Sequence, residues 1–348
     1  MITVGIHRHV EGFAEKWMEF LSARGVRVRW LDLLGLDPLK QVEGCDGVMW
    51  HWLHYPHELR LAALPILHVI ETELKVPVFP DQRTCWHYDD KIAQACLLDA
   101  LQIPTPKTWV FWRREDAAQW AAEAAYPVVA KLAMGAGSTN VKLLRNRREA
   151  RSHIAAMFSR SGIIGSGLHR DRTTPLAVAK DIAQRLIGGV GYMLLKKYPS
   201  LPRQYWMPQK GYVFFQEYLP DNTFDTRVTV IGGRAFGFRR MNRPGDFRAS
   251  GSGVLDHDPA LIDLRCIEQA FRSAERLNTQ SVAFDFLFAG PERKPAIVEI
   301  SYCYADWAVQ QCAGHWDSRM VWHEGRLWPE EAQAEDFLKR IETSRSGQ

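Results

Sequence analysis

Ser281-Val-Ala-Phe-Asp-Phe-Leu-Phe-Ala289, a Gly-Pro-Glu-Arg-Lys turn, and Pro295-Ala-Ile-Val-Glu-Ile-Ser-Tyr302 read as two strands folded back on each other. If Ala289 pairs with Pro295, Asp285 lies opposite Glu299 and Ala283 opposite Ser301. Side chains alternate between faces of a strand, so Phe284, Phe286, Phe288, Val298 and Ile300 point to the other, apolar face. Two carboxylates facing each other across a ladder stand about 5 Å apart at Cβ and repel. A divalent cation would relieve that repulsion, and oxygen ligands suit magnesium. Two solvated acids on an exposed sheet face are the alternative.

Upstream, Asp225–Ile231, Gly232-Gly233 and Arg234–Arg240 form a second hairpin signal, a two-residue Gly-Gly loop between alternating runs. This turn pairs Ile231 with Arg234, Asp225 with Arg240 and Arg227 with Phe238. Asp225, Arg227 and Arg240 then share one face, with Arg239, Arg243 and Arg248 close by. The cluster suits either a structural ion pair or phosphate oxygens, which guanidinium groups meet in bidentate fashion. Further upstream, the apolar run Tyr126–Lys131 leads into Leu132-Ala-Met-Gly135-Ala-Gly137-Ser138-Thr139-Asn140. Small residues let amides approach phosphate, and Ser138 and Thr139 add hydroxyl donors. A plain hairpin turn is the equal alternative. Neither GxxxxGK[ST] nor a complete GxGxxG is present.

Residues 1–80 alternate strand and helix: strands Thr3–His7, Val26–Leu31, Gly47–Trp52 and near Val76–Phe79, helices Val10–Arg24 and near Glu58–Ala63. Such alternation predicts a small parallel α/β unit, with functional groups at the carboxyl ends of its strands. Those ends carry His7, His9, His51, His54 and His57, with Trp50 and Trp52. They suit an acceptor pocket with indoles stacked on a flat ligand, or core packing. Helices are expected near Asp90–Leu101, Glu115–Ala125, Arg148–Ser159, Pro175–Leu195 and Glu330–Ile341, and strands at Thr108–Trp112 and Pro127–Leu132. Residues 212–302 read as a strand-rich antiparallel sheet.

The chain has 348 residues, 46% apolar and 24% charged, enough for two or three packed units. It lacks an apolar run long enough for a membrane span and a signal-peptide pattern at its start. Its six cysteines show no zinc or disulfide spacing. A reduced, cytoplasmic protein is expected. Between Arg145 and Lys210 stand 13 Lys or Arg against 3 Asp or Glu, a net +10; with +4 over the whole chain, the remainder carries −6. This stretch suits an anionic partner or a solvated helical face.

Taken in chain order, Asp90-Lys91 heads a helix and Ile-Pro-Thr-Pro follows it. Pro-Val-Val-Ala-Lys131 with its small-residue loop, Phe215-Gln-Glu-Tyr-Leu219, Asp225-Thr-Arg227 and Gly245-Asp-Phe-Arg248 come next, then Asp285 and Glu299-Ile-Ser301. This succession, over roughly residues 80–305, resembles the ATP-grasp superfamily, most of all ribosomal-protein glutamyl ligases and glutathione synthetase-like enzymes. The resemblance implies a mixed α/β and α+β fold. It would comprise a Rossmann-like pre-ATP-grasp domain at 1–80, a lid subdomain at 81–215 with the basic insertion 145–210, and an antiparallel-sheet subdomain at 216–348. It implies ATP and Mg2+ as cofactors and a ligase that activates a carboxylate as an acyl phosphate for an amine or similar nucleophile. The partners would be small-molecule, glycan or peptide carboxylates and amines, and a homodimer is allowed. A grasp kinase and a non-catalytic ATP-binding regulator are the rival readings.

By position, the resemblance puts Lys91 and Lys131 on ATP phosphates, with Gly135, Gly137, Ser138 and Thr139 in a closing loop. The main chain of Glu217, Tyr218 and Leu219 would meet adenine and Asp225 the ribose. Asp285 and Glu299 would hold magnesium, and Arg248, with Arg227 or Arg240, the transferring phosphoryl group. The family usually has Asn where Ser301 stands, so a second metal would be held weakly or through water. Tyr302, Cys303, Tyr304, Asp306 and Trp307 would face substrate. Cys303 reads as a nucleophile or a buried inert thiol.

Overall fold

The computed structural model describes residues 1–9, 12–54, 57–135, 140–164, 208–243, 245–248 and 253–346. They fall into two compact units, one of Met1–Leu53, Glu58–Pro106 and Leu219–Gln348, the other of His54–His57 and Lys107–Tyr218. Strands are numbered in chain order.

The first unit opens with β1 (Thr3–His7), β2 (Arg27–Leu31), β3 (Gly47–Met49) and β4 (Val78–Phe79), all parallel, in the order β2-β1-β3-β4. This is the parallel α/β sheet that the alternating pattern predicts. Its first helix is Ala14–Ala23, which turns Ala14, Trp17 and Leu21 inward at helical spacing. Strand Gly47–Met49 is shorter than expected: Trp50, His51 and Trp52 lie beyond its end. The helix expected near Glu58–Ala63 runs from His57 through Pro65 to Thr72.

The second unit is built on an antiparallel sheet, β5-β10-β6-β7, of β5 (Thr108–Phe111), β6 (Val128–Lys131), β7 (Val141–Leu144) and β10 (Val213–Glu217). Helices Arg114–Glu123 and Arg147–Met157 belong to it, and β8 (Ile163–Ile164) pairs with β9 (Pro208–Gln209). The helix expected at Pro175–Leu195, and most of the basic insertion, lie outside the described residues.

The rest of the first unit is a seven-stranded antiparallel sheet, β15-β14-β11-β12-β16-β17 with β13 on β12. Its strands are β11 (Phe224–Ile231), β12 (Arg234–Met241), β13 (Leu255–Asp256), β14 (Ser281–Ala289), β15 (Lys294–Ser301), β16 (Gly314–Asp317) and β17 (Trp322–Glu324). The Gly-Gly hairpin has the predicted register, Ile231 with Arg234 and Asp225 with Arg240. Gly232 is needed there: its φ is +53° and a Cβ would come within 2.1 Å of Asp336.

The β14–β15 hairpin departs from expectation at its turn. Ala289 pairs with Lys294 rather than Pro295, because Arg293 closes a tight turn onto the Gly290 carbonyl at 3.1 Å. A β-bulge at Val298 then absorbs the one-residue slip, so Asp285 still faces Glu299 and Ala283 still faces Ser301. The price falls on Val298, which is half-buried; Ile297 takes its place on the apolar face.

That apolar face carries Val228, Val230, Val282, Phe284, Phe286 and Ile300, packed on a helix, Leu264–Leu277, that the strand-rich reading of 212–302 omits. Asp263 caps its start by accepting from the Arg265 amide, and Asn278 ends it in the left-handed conformation. Cys266, Ile267, Ala270, Ala274 and Leu277 form its buried stripe. The opposite face is divided. Ile231, Phe236, Phe238 and Ala283 share a core with Val4, Ile6, Phe13, Trp17 and the C-terminal helix Pro329–Ser346. Toward the other ends of the same strands this face becomes charged.

Candidate active site

The charged end of the sheet follows from strand periodicity. Register places Glu299, Asp285 and Arg227 side by side across β15, β14 and β11, and Asp225 opposite Arg240 one alternation further along. Arg227 grips Asp285 with both arms of its guanidinium, Nε to Oδ1 at 2.7 Å and Nη2 to Oδ2 at 2.9 Å. Arg240 grips Asp225 in the same way, both bonds at 2.6 Å, and its Nη2 also donates to Asp285 Oδ2 at 2.6 Å. Asp225, Arg240 and Asp285 are each less than a tenth exposed. Charge-assisted bidentate bonds of this kind are the strong ones.

Lys91 approaches from the helix Lys91–Ala100, whose start is fixed by Asp90 accepting from the amides of Ile92 and Ala93. Its ammonium lies 3.4 Å from Glu299 Oε1. Burial would favour the neutral amine, but Glu299, Asp89 and Asp90 outweigh it and raise the Lys91 pKa. Burial likewise pushes the Asp285 carboxyl up, and the charges and hydrogen bonds of Arg227 and Arg240 overcome that to hold it well below the usual carboxylate range.

Three acids therefore meet three cations. The repulsion between Asp285 and Glu299, taken from the sequence as a call for a metal, is already relieved by Arg227, Arg240 and Lys91. Asp225 holds Arg240 with both its oxygens, and each of them keeps a second acceptor site.

The residues nonetheless fit a divalent cation that arrives with further oxygens. A carboxylate offers about four acceptor sites. Asp285 uses three on the two arginines, leaving one on Oδ1, and Glu299 holds Lys91 by one long contact. Ser301 donates to the Cys303 carbonyl at 2.6 Å and accepts from the Cys303 amide at 3.2 Å, so its oxygen is a spare and weak ligand. Among the described residues no three His, Cys, Asp or Glu side chains converge on a self-sufficient metal site. An all-oxygen set short of ligands suits magnesium completed by phosphate.

The remaining expected residues are placed as follows. In the first unit, Arg248 chelates Asp246, with Nη2 to Oδ2 at 2.7 Å; Leu219 is buried and its carbonyl accepts from Asn222. In the second unit, Lys131 ends β6 as a buried residue and Gly135, at φ +110°, lies against Asn140 in the β6–β7 connection. Gly137, Ser138 and Thr139 lie outside the described residues. The Glu217 amide donates to the Lys107 carbonyl at 2.8 Å. Tyr218 is half-buried.

Of the two readings of the aromatic and histidine cluster, Trp50, Trp52, His7 and His51 take core packing. Trp50 and Trp52 are fully buried and meet edge-on, with ring centroids 6.2 Å apart. His51 stacks on Phe13 at 3.9 Å, and burial lowers its pKa to about 3; burial lowers His7 to about 4. Both are neutral core residues. Tyr302 joins this core, its hydroxyl donating to the Trp52 carbonyl at 2.8 Å. Burial pushes the Cys303 thiol up to about 11, which makes it a poor nucleophile at neutral pH. Sequence reasoning overlooked Glu330, a fully buried carboxyl beside Asp306 and Lys16. Burial, then Asp306, raise it to about 8. Nothing in the local sequence marks it, since an acid in the first turn of a helix is ordinarily solvated.

No protein-family profile and no curated protein sequence matches this chain. Solved structures do. A RimK domain ATP-grasp protein from Sphaerobacter thermophilus matches with a TM-score of 0.53 at 16% identity, over 97% of this chain and 99% of the other. N5-carboxyaminoimidazole ribonucleotide synthetase from Thermotoga maritima matches with 0.57 at 14% identity, over 98% and 76%. A biotin carboxylase from Campylobacter jejuni matches with 0.58 at 12% identity, over 96% and 71%. The chain shares their fold, the fold the sequence resemblance implies.

Proposed function

We propose that this ATP-grasp fold serves an ATP- and magnesium-dependent ligase that joins a carboxylate to an amine through an acyl phosphate. One observation carries the reading: a row of Glu299, Asp285 and Arg227 on one sheet face, with Arg240 and the buried Lys91 beside it. Acids able to hold a dication next to cations able to hold phosphate are what phosphoryl transfer requires.

In the first step a substrate carboxylate oxygen attacks the γ-phosphorus, the bond to the β-phosphate oxygen breaks, and ADP leaves. In the second, the amine adds to the acyl carbon, phosphate departs, and the nitrogen loses a proton. Magnesium, when bound, would offset the charge of the phosphates. Asp285 and Glu299 would hold it, with Ser301 as a weak third oxygen. Arg227 and Arg248 would meet the transferring phosphoryl group and the anionic tetrahedral intermediate, stabilising charge as it develops. Lys91 and Lys131 would anchor phosphates, Gly135, Gly137, Ser138 and Thr139 would cover them, and the main chain of Glu217, Tyr218 and Leu219 would meet adenine. Asp225 would hold Arg240 and offer its remaining acceptor sites to the ribose. No side-chain nucleophile is needed, and positioning supplies much of the rate.

The test is a screen of carboxylates against amines read by phosphate release. Release only when both co-substrates are present supports a ligase, and loss of that release by at least about a hundredfold in Asp285→Ala and Glu299→Ala supports the site. A phosphorylated product without free phosphate would replace the ligase by a kinase.

A further inference from the structure

The four-membered chain Arg227–Asp285–Arg240–Asp225 does more than tie strands together. Every oxygen of both aspartates accepts from a guanidinium, and Asp285 is left with a single acceptor site. With Lys91 on Glu299 the set is electrically neutral. A free dication gains little from a neutral set and must compete with two guanidinium groups for Asp285.

The two arginines are not equivalent. Arg240 is the described partner of both oxygens of buried Asp225; moving it would strand a buried carboxylate, which is costly. Arg227 is held in its described contacts by Asp285 alone and is the more exposed of the two, 17% against 9%. If Arg227 swings away, Asp285 keeps Arg240 and regains an oxygen edge.

We propose that Arg227 is a displaceable mask on the metal carboxylate: it blocks Asp285 to free divalent cations and leaves for the phosphates when a nucleotide arrives. Metal and nucleotide then bind as one event, and Arg240 is the fixed member that keeps Asp285 aimed throughout. This rests on the nucleotide reading of the site for the trigger, but the mask itself concerns only residues of this chain.

Mn2+, a spectroscopic stand-in for magnesium at oxygen sites, tests it without any turnover. Free Mn2+ is measured by electron paramagnetic resonance with the full chain alone, with ADP alone and with both, and uptake with ADP is counted beyond that of ADP alone. The same is done for Arg227→Gln, Arg227→Lys and the double variant Arg227→Gln/Asp285→Asn. Wild type is expected to take up Mn2+ only with ADP present. Arg227→Gln should take it up without ADP at least about tenfold more tightly than wild type, and the added Asp285→Asn should abolish the gain. Arg227→Lys keeps the charge and should gain little. Nucleotide-free Mn2+ binding by wild type as tight as in Arg227→Gln, lost on Asp285→Asn, overturns the mask. So does a folded Arg227→Gln that gains nothing. Should Arg227→Gln fail to fold, nucleotide-free Mn2+ bound by wild type and lost in Asp285→Asn overturns the mask on its own, and its absence supports it. If Arg227→Gln gains Mn2+ while ADP neither binds nor promotes uptake in wild type, the mask stands and the nucleotide reading falls.

Discussion

Arg240 is the residue on which the charged end of the sheet turns. It serves two buried aspartates at once, three bonds of 2.6 Å from one guanidinium. Replacing it by Ala leaves both acids facing each other with only Arg227 to share. The expected loss is about 3–5 kcal/mol of unfolding free energy, as for the breaking of other buried pairs. Arg227→Ala should cost clearly less, because Asp285 retains Arg240. Urea unfolding of both variants checks the order; equal losses would contradict the unequal roles. Only part of this pairing was legible in the sequence. Asp225 facing Arg240 follows from a two-residue turn, but Arg227 meeting Asp285 joins strands 58 residues apart, and no local turn rule fixes that register.

At the scale of elements, two hairpins were readable, while one long helix and three short ones were not. The β11–β12 hairpin follows its Gly-Gly loop to the residue. In β14–β15 the turn lies one residue off, and the bulge at Val298 brings the acids back into line; bulges leave little trace in a hydrophobic pattern. The helix Leu264–Leu277 was missed inside a strand-rich segment, although Asp263, Ile267, Ala270, Ala274 and Leu277 carry its cap and its period. It covers the face of the sheet away from the charged row. Ile267→Ala should therefore cost about 2–5 kcal/mol without changing nucleotide affinity in the protein that remains folded. Denaturant unfolding and calorimetric titration together check this. A nucleotide defect at unchanged stability would mean that the helix acts on the site by some route other than support.

For the whole molecule, the order of motifs along the chain was the legible part, and the shared fold of the ATP-grasp structures agrees with it. What the order could not convey is charge compensation, because Lys91, Arg227 and Arg240 reach the acids from three separate elements. The first sheet's buried Trp50, His51 and Trp52 show the same limit: strand-end position suggests a pocket, and only packing shows a core. The central claim is that the row Glu299–Asp285–Arg227 receives a metal-bound nucleotide. Calorimetric titration of wild type and the Asp285→Asn/Glu299→Gln double variant with a non-hydrolysable ATP analogue, with and without magnesium, tests it most directly. The account predicts magnesium-dependent binding by wild type, weakened at least about tenfold in the folded double variant. Binding that is equal in the two proteins, or indifferent to magnesium, would contradict it.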